Sequence, residues 1–187
     1  MDKITVNDFL IQELSRIGIK DFFGLPGDYN FNIINAVENH PETRWIGCTN
    51  ELNAGYAADG YARINGYGAV VTTYSVGELS AMNAVAGAFA ENIPVISIVG
   101  IPKTEYIRDN TLTHHNFCQP NYYANFDAYS NFVQANAYLD ADDAKEQIEK
   151  VLSVFIKDKK PVYIAIPVDV GIQCQHRALR AFAAFQR

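Results

Sequence analysis

Ala69, Val70, Val71, Thr72, Thr73 and Tyr74 form one β-prone run, and Pro94, Val95, Ile96, Ser97, Ile98 and Val99 form the next. Between them, residues 78–91 carry Ala81, Ala84, Gly87 and Ala88, a small-residue stretch of about four helical turns that can approach a neighbouring backbone closely. Parallel strands need a crossover between them and a helix fills it, so strand, helix, strand at this spacing marks a parallel sheet.

The alternation continues in both directions. Upstream, residues 6–17 read as a helix with Phe9, Leu10 and Leu14 on one face and Gly18 as its stop. Residues 21–24 then read as a strand, followed by the turn Leu25, Pro26, Gly27, Asp28 and a helix through Phe31, Ile34 and Val37. Residues 44–49 read as another strand, and residues 50–64 as a helix rich in Ala and Gly. Downstream, strands over residues 132–137 and 162–166 flank an amphipathic helix over residues 141–157, with Ile148, Val151, Leu152 and Phe155 on its apolar stripe. The pattern predicts a three-layer, doubly wound α/β domain over residues 1–170, with a six-stranded, mainly parallel sheet. Residues 100–127, with two prolines and adjacent histidines, read as one long functional loop. Residues 171–187 contain Arg177, Arg180 and Arg187 but no acidic residue, and stay open between a surface helix, a linker and a tail.

Composition narrows the function. With 187 residues and 49% hydrophobic content the chain buries a full core, and disorder is excluded. A net charge of −6 argues against a nucleic-acid surface. Cys48, Cys118 and Cys174 make an odd, irregularly spaced set, which predicts no disulfide scaffold and a reducing, cytoplasmic setting. No secretory signal opens the sequence, and no apolar run reaches the roughly 18 residues of a membrane span, so no membrane role is expected.

Neither common nucleotide motif is present. Gly24, Leu25, Pro26, Gly27 lacks the Lys and the spacing of a phosphate loop, and Gly66, Tyr67, Gly68 precedes a strand where a dinucleotide fingerprint follows one. Ligands of an open parallel sheet bind beyond the carboxyl ends of its strands, which selects Asp28, Glu51, His114 and His115. Singly, each has a plain reading: Asp28 as a helix cap, Glu51 as a first-turn carboxylate, the histidines as exposed loop residues. Their gathering on one sheet edge favours a site. A metal reading from His114, His115 and Cys118, joined by Cys174 and His176, matches no closed zinc spacing, and no metal site is expected.

The strings Phe23–Gly24–Leu25–Pro26–Gly27–Asp28–Tyr29–Asn30, Asn50–Glu51–Leu52–Asn53–Ala54 and Ala58–Asp59–Gly60–Tyr61–Ala62–Arg63 are specific in combination. With Val76–Gly77–Glu78–Leu79–Ser80, Ala90–Glu91–Asn92–Ile93–Pro94, Lys160–Pro161–Val162–Tyr163 and Pro167–Val168–Asp169–Val170, they make residues 4–170 resemble the N-terminal, pyrimidine-binding domain of thiamine-diphosphate-dependent 2-oxo acid decarboxylases. The group includes pyruvate, indolepyruvate and phenylpyruvate decarboxylases.

The resemblance implies that Glu51 hydrogen-bonds the ring nitrogen of the cofactor's aminopyrimidine, with Pro26, Gly27 and Thr73 beside it. It also implies that Asp28, His114 and His115 steer the carboxylate of a 2-oxo acid and handle protons once carbon dioxide departs. The run Asn116, Phe117, Cys118, Gln119, Pro120 departs from the small, Gly-containing stretch usual in the family. The family's Gly-Asp-Gly motif and later Asn, which bind magnesium and the diphosphate, have no counterpart, since Ala58, Asp59, Gly60 lies inside a helical segment. The expectation is therefore the pyrimidine half of a decarboxylase, as a split subunit or a truncated fragment, with weak thiamine diphosphate binding alone. Its partner would be a diphosphate-binding domain of a second chain, or a further copy of itself. The alternative is a non-catalytic binding or oligomerisation module of the same fold.

Overall fold

A computed structural model describes residues 3–116 and 121–176. In chain order the elements are β1 (Lys3–Thr5), α1 (Val6–Arg16), β2 (Asp21–Gly24), α2 (Phe31–Asn39), β3 (Arg44–Gly47), α3 (Glu51–Asn65), β4 (Gly68–Thr73) and α4 (Val76–Ala90). Then follow β5 (Val95–Ile101), α5 (Thr104–Arg108), α6 (Ala124–Tyr129), β6 (Ala135–Tyr138), α7 (Ala144–Asp158), β7 (Val162–Pro167), α8 (Val168–Gly171) and β8 (Cys174–His176).

Six strands form one sheet in the order β3-β2-β4-β5-β7-β6, and every pairing in it is parallel. The expected six-stranded α/β sheet is therefore present, and it is wholly rather than mainly parallel. β1 and β8 form a separate antiparallel pair, Lys3 opposite His176, so the segment after residue 170 contains a short strand. Residues 177–187, with their three arginines, lie outside the described residues, as does Cys118.

The central strands β4, β5 and β7 are buried along their whole length, which explains their nearly unbroken apolar character. Alternation within them divides the core. Ala69, Val71, Ile96, Ile98, Ile164 and Ile166 face α1, α2 and α7, where Leu10, Leu14, Val37, Ile148 and Phe155 pack. Val70, Val99, Tyr163 and Ala165 face the other way, toward Ala54, Ala58, Ala81, Val85 and Tyr129 of α3, α4 and α6. Small residues bring α3 against α4: a Cβ on Gly55 would stand 2.7 Å from the Ala84 Cβ.

From β2 the chain moves outward to β3, then returns past β2 to β4 and continues the other way. Right-handed crossovers put connections of opposite direction on opposite faces, as the division of α2 from α3 and α4 reflects. Between β2 and β4 the outgoing chains diverge and leave a crevice, the usual ligand position of such sheets.

Several elements differ from expectation, and three of the differences have a plain physical reason. The strand expected over residues 132–137 starts at Ala135, because Phe132 and Val133 cover α6 instead of extending the sheet. β3 ends at Gly47 rather than residue 49, since Asn50 already serves as the cap of α3, its Oδ1 accepting from Asn53 N–H at 2.9 Å. The expected long loop of residues 100–127 begins with the end of β5, contains α5 and runs into α6, helices too short to show a period.

The turn after β2 is pressed onto the sheet. A Cβ on Gly100 would lie 2.0 Å from the Tyr29 carbonyl oxygen, so only glycine admits this approach. Gly100→Ala should therefore destabilise the domain by about 1–3 kcal/mol, the scale of overpacking against unyielding backbone. Gly60→Ala, inside α3 with no neighbour within 4 Å, should instead stabilise it by about 0.5–1 kcal/mol. Paired urea denaturation curves check both signs; a neutral Gly100→Ala would contradict the close approach.

Candidate active site

The crevice begins at the β2–α2 turn. Asn30 is fully buried and closes it, accepting from Gly27 N–H through Oδ1 at 2.9 Å and donating through Nδ2 to the Leu25 carbonyl at 3.0 Å. Pro26 is exposed on its rim. Gly27 lies flat on the end of β4: a Cβ there would stand 2.5 Å from Thr73 Cγ2.

Glu51 enters from the neighbouring strand's end, as the first residue of α3. A Cβ on Gly77 would stand 2.8 Å from Thr73 Oγ1 and 3.1 Å from Glu51 Oε1. Gly27, Thr73, Gly77 and Glu51 are thus close neighbours, Gly27 against Thr73 Cγ2 and Gly77 against Thr73 Oγ1 and the Glu51 carboxylate, and two of the four positions carry no side chain. Glu51 is half-buried, and its carboxylate has no hydrogen-bond or ion-pair partner among the described residues. An acceptor left open beside a glycine-lined slot suits a flat ring that presents a donor.

Asp28 does not cap α2, because the helix starts at Phe31 with Asn30 at its cap. Its carboxylate instead meets His114 Nε2 at 3.0 Å and 3.2 Å. Nδ1 of the same ring lies 3.2 Å from the Tyr29 hydroxyl, and the two rings stack at 4.9 Å. With the proton on Nε2, the histidine donates to Asp28 and accepts from Tyr29 at once. His115 stands edge-on to His114 at 4.6 Å, its Nδ1 buried without a partner among the described residues. Its backbone has φ 67°, an unfavourable region for a non-glycine residue.

Tyrosines hold this loop. The Tyr74 hydroxyl donates to the His114 carbonyl at 2.6 Å and lies 2.7 Å from Thr113 Oγ1. Burial pushes its pKa up to about 12, so it stays a donor at neutral pH. The Tyr122 hydroxyl is shared between Thr113 Oγ1 at 3.0 Å and the Thr111 carbonyl at 2.5 Å. All four acid and imidazole residues expected from the sequence therefore sit on the carboxyl edge of the sheet, with Asp28 and His114 paired directly.

Tyr29, Tyr74, Tyr122 and Glu78 were not anticipated. Glu78 is 2% exposed, yet accepts from Ser75 N–H at 2.7 Å, Asn125 Nδ2 at 3.0 Å and the Tyr163 hydroxyl at 2.7 Å. Its sequence signal is the pair Ser75 and Glu78, three apart ahead of an apolar run, which marks a helix start. α4 indeed begins at Val76, two residues before the expected start.

Among the described residues no group of three His, Cys, Asp or Glu converges as a metal site, and no helix is long and apolar enough to cross a membrane.

Residues 4–123 match the family described as thiamine pyrophosphate enzyme, N-terminal TPP binding domain, and the chain belongs to that family. It is 43% identical over 171 residues to a putative pyruvate decarboxylase of Schizosaccharomyces pombe, covering 90% of this chain and 30% of that protein. It is 45% identical over 163 residues to pyruvate decarboxylase 2 of Nicotiana tabacum, covering 87% and 26%, and 42% identical over 167 residues to an alpha-keto-acid decarboxylase of Mycobacterium tuberculosis, covering 89% and 30%. The chain spans under a third of the length of these curated relatives.

Burial raises the pKa of Glu78 above its ordinary 4.5, with the bonds from Tyr163, Ser75 and Asn125 opposing. The folded state therefore binds this proton more tightly than the unfolded chain, and stability falls as pH rises from 4.5 through the raised value. Glu78→Gln has no such proton. Its stability relative to the natural protein should increase from about pH 4 to about pH 7, read by urea denaturation at both. A pH-independent difference would contradict a raised Glu78.

Proposed function

We propose that the crevice at the ends of β2, β3 and β4 receives the aminopyrimidine ring of thiamine diphosphate, as the pyrimidine-binding part of a non-oxidative 2-oxo acid decarboxylase. The observation that carries this reading is the open Glu51 carboxylate beside Gly77 and Thr73, in a chain of the thiamine pyrophosphate enzyme family. When bound, thiamine diphosphate supplies the carbon nucleophile and the electron sink that loss of carbon dioxide from a 2-oxo acid requires.

This chain's residues do the rest. Glu51 holds a proton on the ring nitrogen it faces, through a charge-assisted hydrogen bond strengthened by the half-buried setting. Gly27, Gly77 and Thr73 leave room for the flat ring, and Pro26 borders it. Asp28 and His114 form the proton-handling pair at the open side, and His115 offers a second imidazole there. Magnesium and the diphosphate would be held by a second domain of the family's diphosphate-binding type, in the same or another chain. A cytoplasmic setting fits three cysteines in irregular spacing.

One observation supports an association surface beside the site. Leu52, Tyr56, Val76 and Leu79 are exposed on adjoining α3 and α4, whose outer sides are joined by a bond from the Tyr56 hydroxyl to Asn83 Oδ1 at 2.5 Å. Such a patch beside Glu51 fits a covering domain or a second copy of the chain. Sedimentation equilibrium should show self-association rising with concentration; a strictly monomeric chain at high concentration would count against the second copy.

The catalytic reading is tested by Glu51→Gln in the assembled enzyme, with a diphosphate-binding partner, magnesium and saturating cofactor. Carbon dioxide release from pyruvate and aromatic 2-oxo acids should fall about a hundredfold or more, the scale for losing one preorganised electrostatic partner. A mere first-turn carboxylate would change stability by about 0.3–1 kcal/mol and leave activity nearly intact. Full activity in the variant refutes the assignment.

A further inference from the structure

We infer that Glu78 is a positioning residue, a buried carboxylate whose Oε1 ties together the two supports of the histidine loop. The circuit starts at Tyr74, whose hydroxyl holds the His114 carbonyl and Thr113. The next residue, Ser75, donates its N–H to Glu78 Oε1 at 2.7 Å. The same oxygen accepts from Asn125 Nδ2 at 3.0 Å, on α6. Three residues before Asn125, Tyr122 returns to Thr113 Oγ1 at 3.0 Å. Six residues, Tyr74, Ser75, Glu78, Asn125, Tyr122 and Thr113, close a ring around the backbone that carries His114, and Glu78 Oε1 is the side-chain atom that takes a bond from each of its two arms away from the loop.

Packing alone does not account for a carboxylate here. Glu78 is 2% exposed, and no cation pairs with it among the described residues, so an apolar side chain of similar size would be the cheaper filler. The bonds explain it. Ser75 has φ 58° and His115 φ 67°, two unfavourable backbone conformations on either side of the ring. Such conformations persist only where the surroundings over-determine them, and the doubly bonded Oε1 does so for Ser75. The Tyr129 hydroxyl adds a bond from α6 to the Glu78 carbonyl at 2.6 Å, fixing the helix that carries Asn125. Among the described residues the second carboxylate oxygen takes only the Tyr163 hydroxyl, from β7, outside the ring.

This asymmetry gives the test. The inference rests on Asp28, His114 and His115 being the functional edge, but its observable is loop order, so it fails or stands apart from the decarboxylase reading. Asn125→Ala cuts the link through Oε1 and leaves the Tyr129 bond to the Glu78 carbonyl in place. Tyr163→Phe removes a buried bond to the same carboxylate and leaves the link whole. Glu78→Gln keeps an oxygen for Ser75 and Asn125 and serves as the conservative rescue. Amide hydrogen exchange and imidazole NMR resonances are followed on the full chain.

In Asn125→Ala, exchange over residues 111–116 should quicken about tenfold relative to β4 and β5, and the His114 and His115 resonances should shift or broaden. In Tyr163→Phe and Glu78→Gln, the loop should stay within about twofold of the natural protein, whatever their melting temperatures. Should Asn125→Ala not fold, Asn125→Ser, whose hydroxyl stops short of Oε1, takes its place. An unmoved loop in the Asn125 variant, or equal loosening in Tyr163→Phe, overturns the inference; the first shows that the link orders nothing, the second that any damage to the core does the same.

Discussion

The parallel pairing of β2 with β4, Phe22 opposite Ala69 through Gly24 opposite Val71, is the constraint on which the site depends. These strands are neighbours in space but not in sequence, and the chains leaving them diverge. The gap between those exits cannot be filled by either connection. Glycines at the strand ends let the chain pack closely around it: Gly24 under the Val71 carbonyl, Gly27 over Thr73, Gly100 under Tyr29. Because β3 is also parallel to β2, the start of α3 falls on the same edge and brings Glu51 with it. Shifting β2 by one residue would reverse its faces, sending Phe22 out of the core and Gly24 away from β4.

Around this crevice the molecule tolerates features that a purely structural core would avoid. A carboxylate lies buried without a cation, Ser75 and His115 adopt positive φ, and a histidine nitrogen is buried without a partner among the described residues. Each is unfavourable alone, on the order of 1–3 kcal/mol for the backbone conformations. They lie in the segments that follow β4 and β5, while the opposite face of the sheet, packed by α1, α2 and α7, has a large aliphatic and aromatic core beside the buried Asn7, Glu13 and Ser15 of α1. Both layers carry a hydrophobic core, and Ser75, Glu78 and His115 depart from local rules on the side that carries the candidate site. Tyrosines are well suited to that side: Tyr74 and Tyr122 bury rings against each other at 5.8 Å while their hydroxyls reach the loop.

Much of the fold was legible in the residues. β4, β5 and β7 are buried on both faces, so their apolar runs stand out, and α7 keeps a clear stripe through Ile148, Val151, Leu152 and Phe155. β1 and β8, three residues each, exist because two distant segments meet, and nothing in Lys3–Thr5 foretells Cys174–His176. Phe132 and Val133 misled because apolar residues that cover a helix look like the start of a strand. For the candidate site, the sheet-edge rule selected Asp28, Glu51, His114 and His115, which the structure places on that edge, and the resemblance added Pro26, Gly27 and Thr73. The supporting tyrosines stayed hidden: Tyr122 reads as one residue of a long loop, and Tyr74, an aromatic residue at the end of a strand, reads as core. Its hydroxyl gains meaning only from a partner such as Thr113, 39 positions away from Tyr74. Glu78 was hidden differently: its capping signal is local, but Asn125 and Tyr163, 47 and 85 positions away, reveal its wider role.

The central claim is that Gly27, Thr73, Gly77 and Glu51 form a slot for an aminopyrimidine ring. Its most direct measurement is an NMR titration of the isotopically labelled full chain with thiamine diphosphate, and in parallel with its isolated aminopyrimidine, both into the millimolar range. Chemical-shift changes should concentrate at the amides of Gly27, Thr73 and Gly77 and at the Glu51 side-chain carboxyl, with the same residues responding to both ligands. Changes gathered elsewhere, for example around Asp8 and His40 at the α1–α2 groove, or no response in the slot while other residues move, would contradict the account.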